Sequence, residues 1–140
     1  MIGKRTVLFL CVGNSCRSQM AEAVVNAAMG QAWLAKSAGS QPQGYVHPKA
    51  VQVLDEIGIH HKGLSKSTDS LSEESFDVVV TLCEEDAQNC PVWLGVGRQF
   101  HLPFPDPFNA VGTEEEILSL YRQVLSDIES KIPALLESIS

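Results

Sequence analysis

The sequence predicts an α/β fold: a single three-layer domain, with a four-stranded parallel sheet carrying helices on both faces. Three observations predict it. Residues 5–11 and 76–82 are continuous β-branched and aromatic runs, the pattern of strands buried on both faces. Segments with helical spacing separate the strand-like runs, which makes the connections crossovers and the sheet parallel. The length of 140 residues is close to the ~150 of one ordinary domain. At 44% hydrophobic and 19% charged, the composition is globular.

Residues 5–11 are the first strand. Residues 18–29 have helical spacing, with Met20, Val24, Ala27 and Ala28 on one face, and Gly30 stops them. Residues 32–38 read as a short strand before Gly39-Ser40, and 41–46 as a loop. Pro48 suits the first position of a helix that Val51 and Leu54 continue to Ile57-Gly58. Residues 59–68 are a polar connection, and 71–75 fit no one type. After the strand at 76–82, residues 84–89 fit a helical turn or a loop, and Pro91 disfavours helix at Cys90. Residues 98–102 are a weak fourth strand, ended by Pro103, Pro105 and Pro107. Thr113 caps a long terminal helix, with Glu116 three residues on as a capping box. Ile117, Leu120, Tyr121, Val124, Leu125, Ile128 and Ile132 form its apolar face, and Pro133 implies a kink or a break.

No apolar run approaches the ~18 residues of a membrane span. The N-terminal stretch reads as a strand, not a signal peptide. Cytoplasmic localisation follows as the expectation. The net charge of −7, from 10 basic and 17 acidic residues, argues against nucleic acid or an anionic membrane as partner. It leaves an anionic substrate open, because a pocket's local field can oppose the global charge. The acidic runs at 73–74, 84–86 and 114–116 read as solvated helix starts. Four cysteines, 11, 16, 83 and 90, without an export signal point to metal binding or thiol chemistry. Zinc is disfavoured: neither pair is Cys-x-x-Cys, and His47, His60, His61 and His101 show no ligand spacing. A monomer is the default.

Ligands of parallel sheets bind beyond the carboxyl ends of the strands. Cys11, Cys83 and Asp106 stand at three such ends. Cys11-Val12-Gly13-Asn14-Ser15-Cys16-Arg17-Ser18 runs from a strand into a helix and is Cys-x5-Arg followed by Ser. A tight loop of small residues turns successive N–H groups inward, and the helix adds its positive end. Arg17 supplies a donor fork suited to a tetrahedral oxyanion. Together the N–H groups and Arg17 favour the thiolate of Cys11. Ser18 can donate to that sulfur, and Asn14 can hold the loop or take a positive φ. A Walker-type loop is absent. The loop therefore predicts a thiolate attacking an oxyanion of phosphate shape, bound by residues 12–18. An ordinary strand-turn-helix with buried cysteines is the bland alternative.

Residues 9–22, from Phe9-Leu10-Cys11 to Met20-Ala21-Glu22, resemble the active-site loop of low-molecular-weight protein tyrosine phosphatases. They resemble still more that of arsenate reductases built on the same fold. Ser37-Ala38-Gly39 is similar to a second shared segment, and Asp106-Pro107 resembles the general-acid loop. These matches span residues 9 to 107. Residues 81–91, Thr81-Leu82-Cys83 through Asn89-Cys90-Pro91, closely resemble the redox segment of thioredoxin-coupled arsenate reductases. The resemblance implies arsenate as substrate, Cys11 as nucleophile and Asp106 as acid. It also implies a relay in which Cys83 attacks Cys11 and Cys90 attacks Cys83, with thioredoxin, or alternatively glutaredoxin, as donor. A potassium ion held by Asn14, Glu22 and Ser37, with Ser67 or Asp69 as a fourth donor, is also implied. Cys16 discriminates nothing.

Alternatives stay open at this level. A tyrosine phosphatase needs only Cys11, Arg17 and Asp106, and Phe108 stands where such enzymes grip a substrate ring. A sugar-transport phosphocarrier places a cysteine in such a loop, but Arg17 is not expected there. Cys83 and Cys90 could be buried small hydrophobes, Asp106 a turn former in a rigid loop, Phe108 a core residue and Glu22 an ordinary helix residue. One distance bears on the relay: seven helical residues rise about 10 Å, whereas bridged Cα atoms lie about 4.4–6.8 Å apart. If residues 84–90 are helical when reduced, they must unwind to form Cys83–Cys90, so a mobile segment over 83–97 is expected.

Overall fold

The computed structural model describes residues 4–84 and 90–139. Strand β1 (Arg5–Cys11) leads into helix α1 (Arg17–Ala28), followed by β2 (Trp33–Gly39) and α2 (Pro48–Glu56). A 3-10 turn (Thr68–Leu71) precedes β3 (Val78–Thr81), β4 (Arg98–His101) and α3 (Glu114–Ser138). The four strands form one parallel sheet in the order β2-β1-β3-β4. This is the expected α/β fold. Helix α1 starts one residue before its sequence prediction and β3 is shorter than its apolar run.

The alternation of β1 builds two cores. Val7 and Phe9 face one side, where Met20, Val24 and Val25 of α1, Leu54 of α2 and Tyr121, Leu125 and Ile128 of α3 bury them. Leu8 and Leu10 face the other, against Val79, Leu71, Phe76 and Trp93. The three described α-helices thus share one face, and on the second the place of the expected helical cover is taken by the 3-10 helix with the loop carrying Trp93. Both tryptophans are core residues. The pleat repeat of two residues explains why β1 reads as uniformly apolar: both of its faces are dry.

His47 accepts from the Lys49 N–H at the start of α2, with Pro48 at the first helical position. Thr113 and Glu116 make the predicted reciprocal cap of α3. Of the kink or break expected at Pro133, the break does not occur, for α3 continues through it to Ser138. Proline removes the bond to the carbonyl four residues earlier, Glu129. That turn is exposed, so the carbonyl can face water, while Ile128, Ile132 and Leu136 stay packed on the core side. The helical turn expected over 84–89 falls on residues that, for 85–89, lie outside the described ones.

Candidate active site

Residues 12–16 link β1 to α1, and each of their carbonyls has a partner on the outside of the loop. Gln41, Gln43 and His47 donate backbone N–H bonds of 2.9, 2.9 and 3.0 Å to Val12, Gly13 and Ser15. Gln19 Nε2 donates to the Asn14 carbonyl at 3.2 Å, and Met20 N–H to that of Cys16 at 2.9 Å. In a trans peptide the next N–H points opposite the carbonyl. Five outward carbonyls therefore turn the N–H groups of residues 13–17 inward, toward Cys11. The N–H of Asn14 meets Cys11 Sγ at 3.3 Å. Asn14 has φ 48, a left-handed conformation that asparagine tolerates and β-branched residues do not. Gly39, at the end of β2, permits the close approach, since a Cβ there would strike the Val12 carbonyl and the Asn14 nitrogen.

Cys11 Sγ lies 2.8 Å from Ser18 Oγ, and Asn14 Nδ2 donates to that same oxygen at 2.8 Å. Arg17 is buried at 3% exposure. Its Nη1 donates to the carbonyls of Leu82 and Phe104, at 3.4 and 3.2 Å, and its Nη2 pairs with Asp106 Oδ2 at 3.2 Å. Nε is buried and unpartnered among the described residues. This side chain lines the pocket with Cys11, Gln41, Gln43, Asp106 and Phe108. A planar fork fixed at one edge by two carbonyls keeps the remaining N–H donors for an oxyanion. Asp106 Oδ1 accepts from the Phe108 N–H at 3.0 Å, and the Asp106 N–H donates to Glu84 Oε1 at 3.3 Å. The loop carrying Asp106 is thereby joined to the residue after Cys83.

Cys16 also lines the pocket, with Sγ 3.4 Å from Tyr121 Oη. Burial pushes its thiol up to about 12, with the Tyr121 hydrogen bond opposing. Tyr121 is raised as well, chiefly by burial and then by Cys16. Phe108, which lines the pocket, packs against His47, at 5.4 Å between centroids, and Tyr45, at 6.5 Å. Burial, then Lys49, holds His47 below its ordinary value.

The other two cysteines form a disulfide, Cys83–Cys90, with Cα atoms 5.7 Å apart. Cys11 and Cys16 are free thiols. Cys83 is fully buried just beyond β3, beside the strand that ends in Cys11: the Leu82 N–H extends the ladder to Leu10 O at 2.8 Å. Cys83 does not line the pocket that Cys11 lines.

The donors implied for potassium are otherwise engaged. Asn14 Oδ1 accepts from the Lys66 N–H at 2.9 Å and from Gln19 Nε2 at 3.1 Å. Ser37 Oγ donates to Glu22 Oε1 at 2.8 Å. Ser67 Oγ accepts from the Asp69 N–H at 3.1 Å. Lys66 Nζ stands 4.0 Å from Glu22 Oε1 and His61 Nε2 3.8 Å from Glu22 Oε2. A hard cation needs a cage of free oxygens; these residues, with an ammonium already among them, do not fit one. Burial lowers both His61 and Lys66, and the Glu22 carboxylate opposes it in each. His61, Lys66 and the outward partners at 41–47 carry no local motif, and only long-range contacts reveal them.

Fold and site together define an oxyanion-binding thiol protein of the parallel α/β class. The profile of the low molecular weight phosphotyrosine protein phosphatase family matches residues 6–140, and the chain belongs to that family. An arsenate reductase from Halalkalibacterium halodurans is 38% identical over 140 residues, covering 98% of this chain and 99% of its own. Among solved structures, an arsenate reductase from Archaeoglobus fulgidus superposes with a TM-score of 0.73 at 32% identity, covering 94% of this chain and 98% of its own. A thioredoxin-dependent arsenate reductase from Corynebacterium glutamicum gives 0.67 at 26%, covering 99% of this chain and 62% of its own. A low molecular weight protein tyrosine phosphatase from T. tengcongensis gives 0.72 at 25%, with 96% and 99% covered.

Proposed function

We propose that this chain is a thioredoxin-dependent arsenate reductase working through Cys11, Cys83 and Cys90. The observation that carries the reading is the Cys83–Cys90 disulfide beside a free Cys11. A hydrolytic phosphatase has no use for that pair, whereas a thiol relay ends with it formed and the nucleophile regenerated.

Arsenate enters the cradle as a tetrahedral dianion, held by the N–H groups of residues 13–17 and the Arg17 fork. The Cys11 thiolate, held by Ser18 Oγ and the Asn14 N–H, attacks arsenic and forms an S–As bond. Once arsenate takes the Arg17 fork from it, the Asp106 carboxyl acts as the acid and passes a proton to the departing hydroxyl, which leaves as water. The Cys83 thiolate then attacks Cys11 Sγ. The S–As bond breaks with its electron pair going to arsenic, which falls from the +5 to the +3 state and leaves as arsenite. Cys11–Cys83 has formed and two thiols have lost two electrons. Cys90 attacks Cys83, freeing Cys11 as thiolate and leaving Cys83–Cys90. A dithiol protein of the thioredoxin type reduces that bridge by exchange, and glutaredoxin is the alternative donor. Residues 1–140 act as one catalytic unit, taken as a monomer, in a cytoplasm that keeps Cys11 and Cys16 reduced.

Phosphatase chemistry is the second reading, favoured by Phe108 at the pocket, backed by His47 and Tyr45, which suits an aryl group. One assay separates the two. Purified protein with arsenate, thioredoxin, thioredoxin reductase and NADPH is expected to consume NADPH, and Cys83→Ser and Cys90→Ser each to lose turnover. Brisk aryl-phosphate hydrolysis without arsenate-dependent NADPH oxidation would put the phosphatase first.

A further inference from the structure

Behind the oxyanion loop, on the side away from the pocket, lies a half-buried charged cluster that the relay does not use. Glu22 of α1, 14% exposed at its side chain, faces Lys66 Nζ at 4.0 Å and His61 Nε2 at 3.8 Å. Lys66 Nζ also donates to the Leu64 carbonyl at 3.1 Å, and the neighbouring Lys36 is matched by Glu74 at 2.6 Å. His61 Nε2 is 2.7 Å from Gln19 Oε1. The amide nitrogen of Gln19 faces three oxygens, Asn14 O, Asn14 Oδ1 and Leu64 O. Gln19 Oε1 is therefore an acceptor, and His61 Nε2 carries the hydrogen.

Two short chains of contacts run from this cluster to the sulfur. One goes from His61 through Gln19 to Asn14, the other from the Lys66 backbone to Asn14 Oδ1. From Asn14 both continue through Ser18 Oγ to Cys11. Asn14 is the one described non-glycine residue with positive φ, so the loop's shape depends on what holds it. The Glu22 carboxylate in this half-buried place needs a positive charge beside it.

We infer that Lys66 is a built-in counter-cation of the loop: its ammonium, tethered to the backbone that pins Asn14, takes the place of a free alkali-metal ion against Glu22. Lys66 and His61 are then positioning residues. They touch neither oxyanion nor sulfur and act through Glu22, Gln19 and Asn14. The inference concerns the loop's support and not the identity of the oxyanion, so inorganic phosphate serves as the probe. A chain without arsenate turnover would still answer the question.

Phosphate binding to the full-length chain is measured by calorimetry, with thermal unfolding alongside. Both are run at equal ionic strength in potassium, sodium and choline chloride. The unaltered protein is expected to bind phosphate with the same Kd in all three salts, and potassium to leave its Tm unchanged. Lys66→Gln keeps the backbone bond to Asn14 and removes the charge. It is expected to weaken phosphate binding about tenfold in choline, with potassium restoring most of the loss. Lys66→Arg should remain indifferent to the salt, and Glu22→Gln in the Lys66→Gln background should abolish the potassium response. Potassium tightening phosphate binding by the unaltered protein would overturn the inference without recourse to any variant. So would a Lys66→Gln protein that binds normally in choline, or one whose defect potassium does not repair.

Discussion

Cys11 and Cys16 share one loop and line one pocket, yet their surroundings differ. Cys11 meets an N–H and a hydroxyl, both able to donate to a thiolate. Cys16 meets a buried phenol, and burial holds its thiol up to about 12, so at neutral pH it stays protonated and unreactive. Iodoacetamide on the native protein at pH 7.5 is therefore expected to label Cys11 and spare Cys16, read by peptide mass spectrometry. Equal labelling of the two would contradict this account of Cys16. The arginine is equally specific. Arg17 places its fork by two carbonyls and an aspartate, and a lysine offers a point charge with no fork. Arg17→Lys should keep the net charge and lose about 10²–10³ in kcat/KM for arsenate. A loss below about tenfold would mean that charge alone suffices.

At the scale of elements, α3 carries two features whose effects oppose. The Thr113 cap satisfies the Glu116 N–H at 3.1 Å, and Glu116 returns a bond to the Thr113 N–H at 3.1 Å. These bonds hold the Glu116 carboxyl below its ordinary value of 4.5. A lowered carboxylate stabilises the fold above its unfolded value and loses that contribution as pH falls through the folded one. The cap should thus weaken on acidification below about pH 4.5. Thr113→Ala should cost about 1 kcal/mol at pH 7, and the difference from the unaltered protein should shrink in acid. Pro133 acts in the other direction. Pro133→Ala restores an N–H to the helix and should stabilise by about 1–3 kcal/mol, read as a raised midpoint in urea. An unchanged midpoint would mean that the turn has already relaxed around the proline.

The same elements show what the sequence makes legible. Strand β1 and the Cys-x5-Arg loop are local patterns, so β1 reads to its last residue and the loop to its anchor Arg17. Asp106 reads only as an acid beyond a weak strand; its ion pair with Arg17 spans 89 positions and leaves no trace in spacing. The N–H donors of Gln41, Gln43 and His47 come from a stretch that reads merely as loop, because backbone bonds carry no side-chain signature. His61 and Lys66 leave no mark for a related reason: they meet Gln19, Asn14 and Glu22 by long-range contacts. At Pro133 local propensity says break, and packing of Ile128, Ile132 and Leu136 on the core overrides it.

For the molecule as a whole, the sheet order matters more than any one residue. β1 and β3 are neighbours, so the strand that ends in Cys11 lies against the one that leads to Cys83. The pairing of Leu10 with Thr81 sets Leu82 opposite Cys11 and places Cys83 one residue further along, on the alternate side of the pleat. For Cys83 to reach Cys11, the chain just after β3 must turn its side chain toward the pocket, a local rearrangement within one domain. In the present state Cys83 is bridged to Cys90, and Glu84 beside it holds the Asp106 loop through the Asp106 N–H. Breaking that bridge frees Cys83 for the pocket, so one exchange links the redox state to the site. Cys90→Ser treated with arsenate and mapped without reductant is then expected to yield a Cys11–Cys83 peptide, which the unaltered protein converts to Cys83–Cys90. The same variant should turn over arsenate at most once per chain. Sustained turnover by Cys90→Ser, with no Cys11–Cys83 peptide at any time point, would mean that the electrons leave Cys11 by a route that bypasses the neighbouring strand.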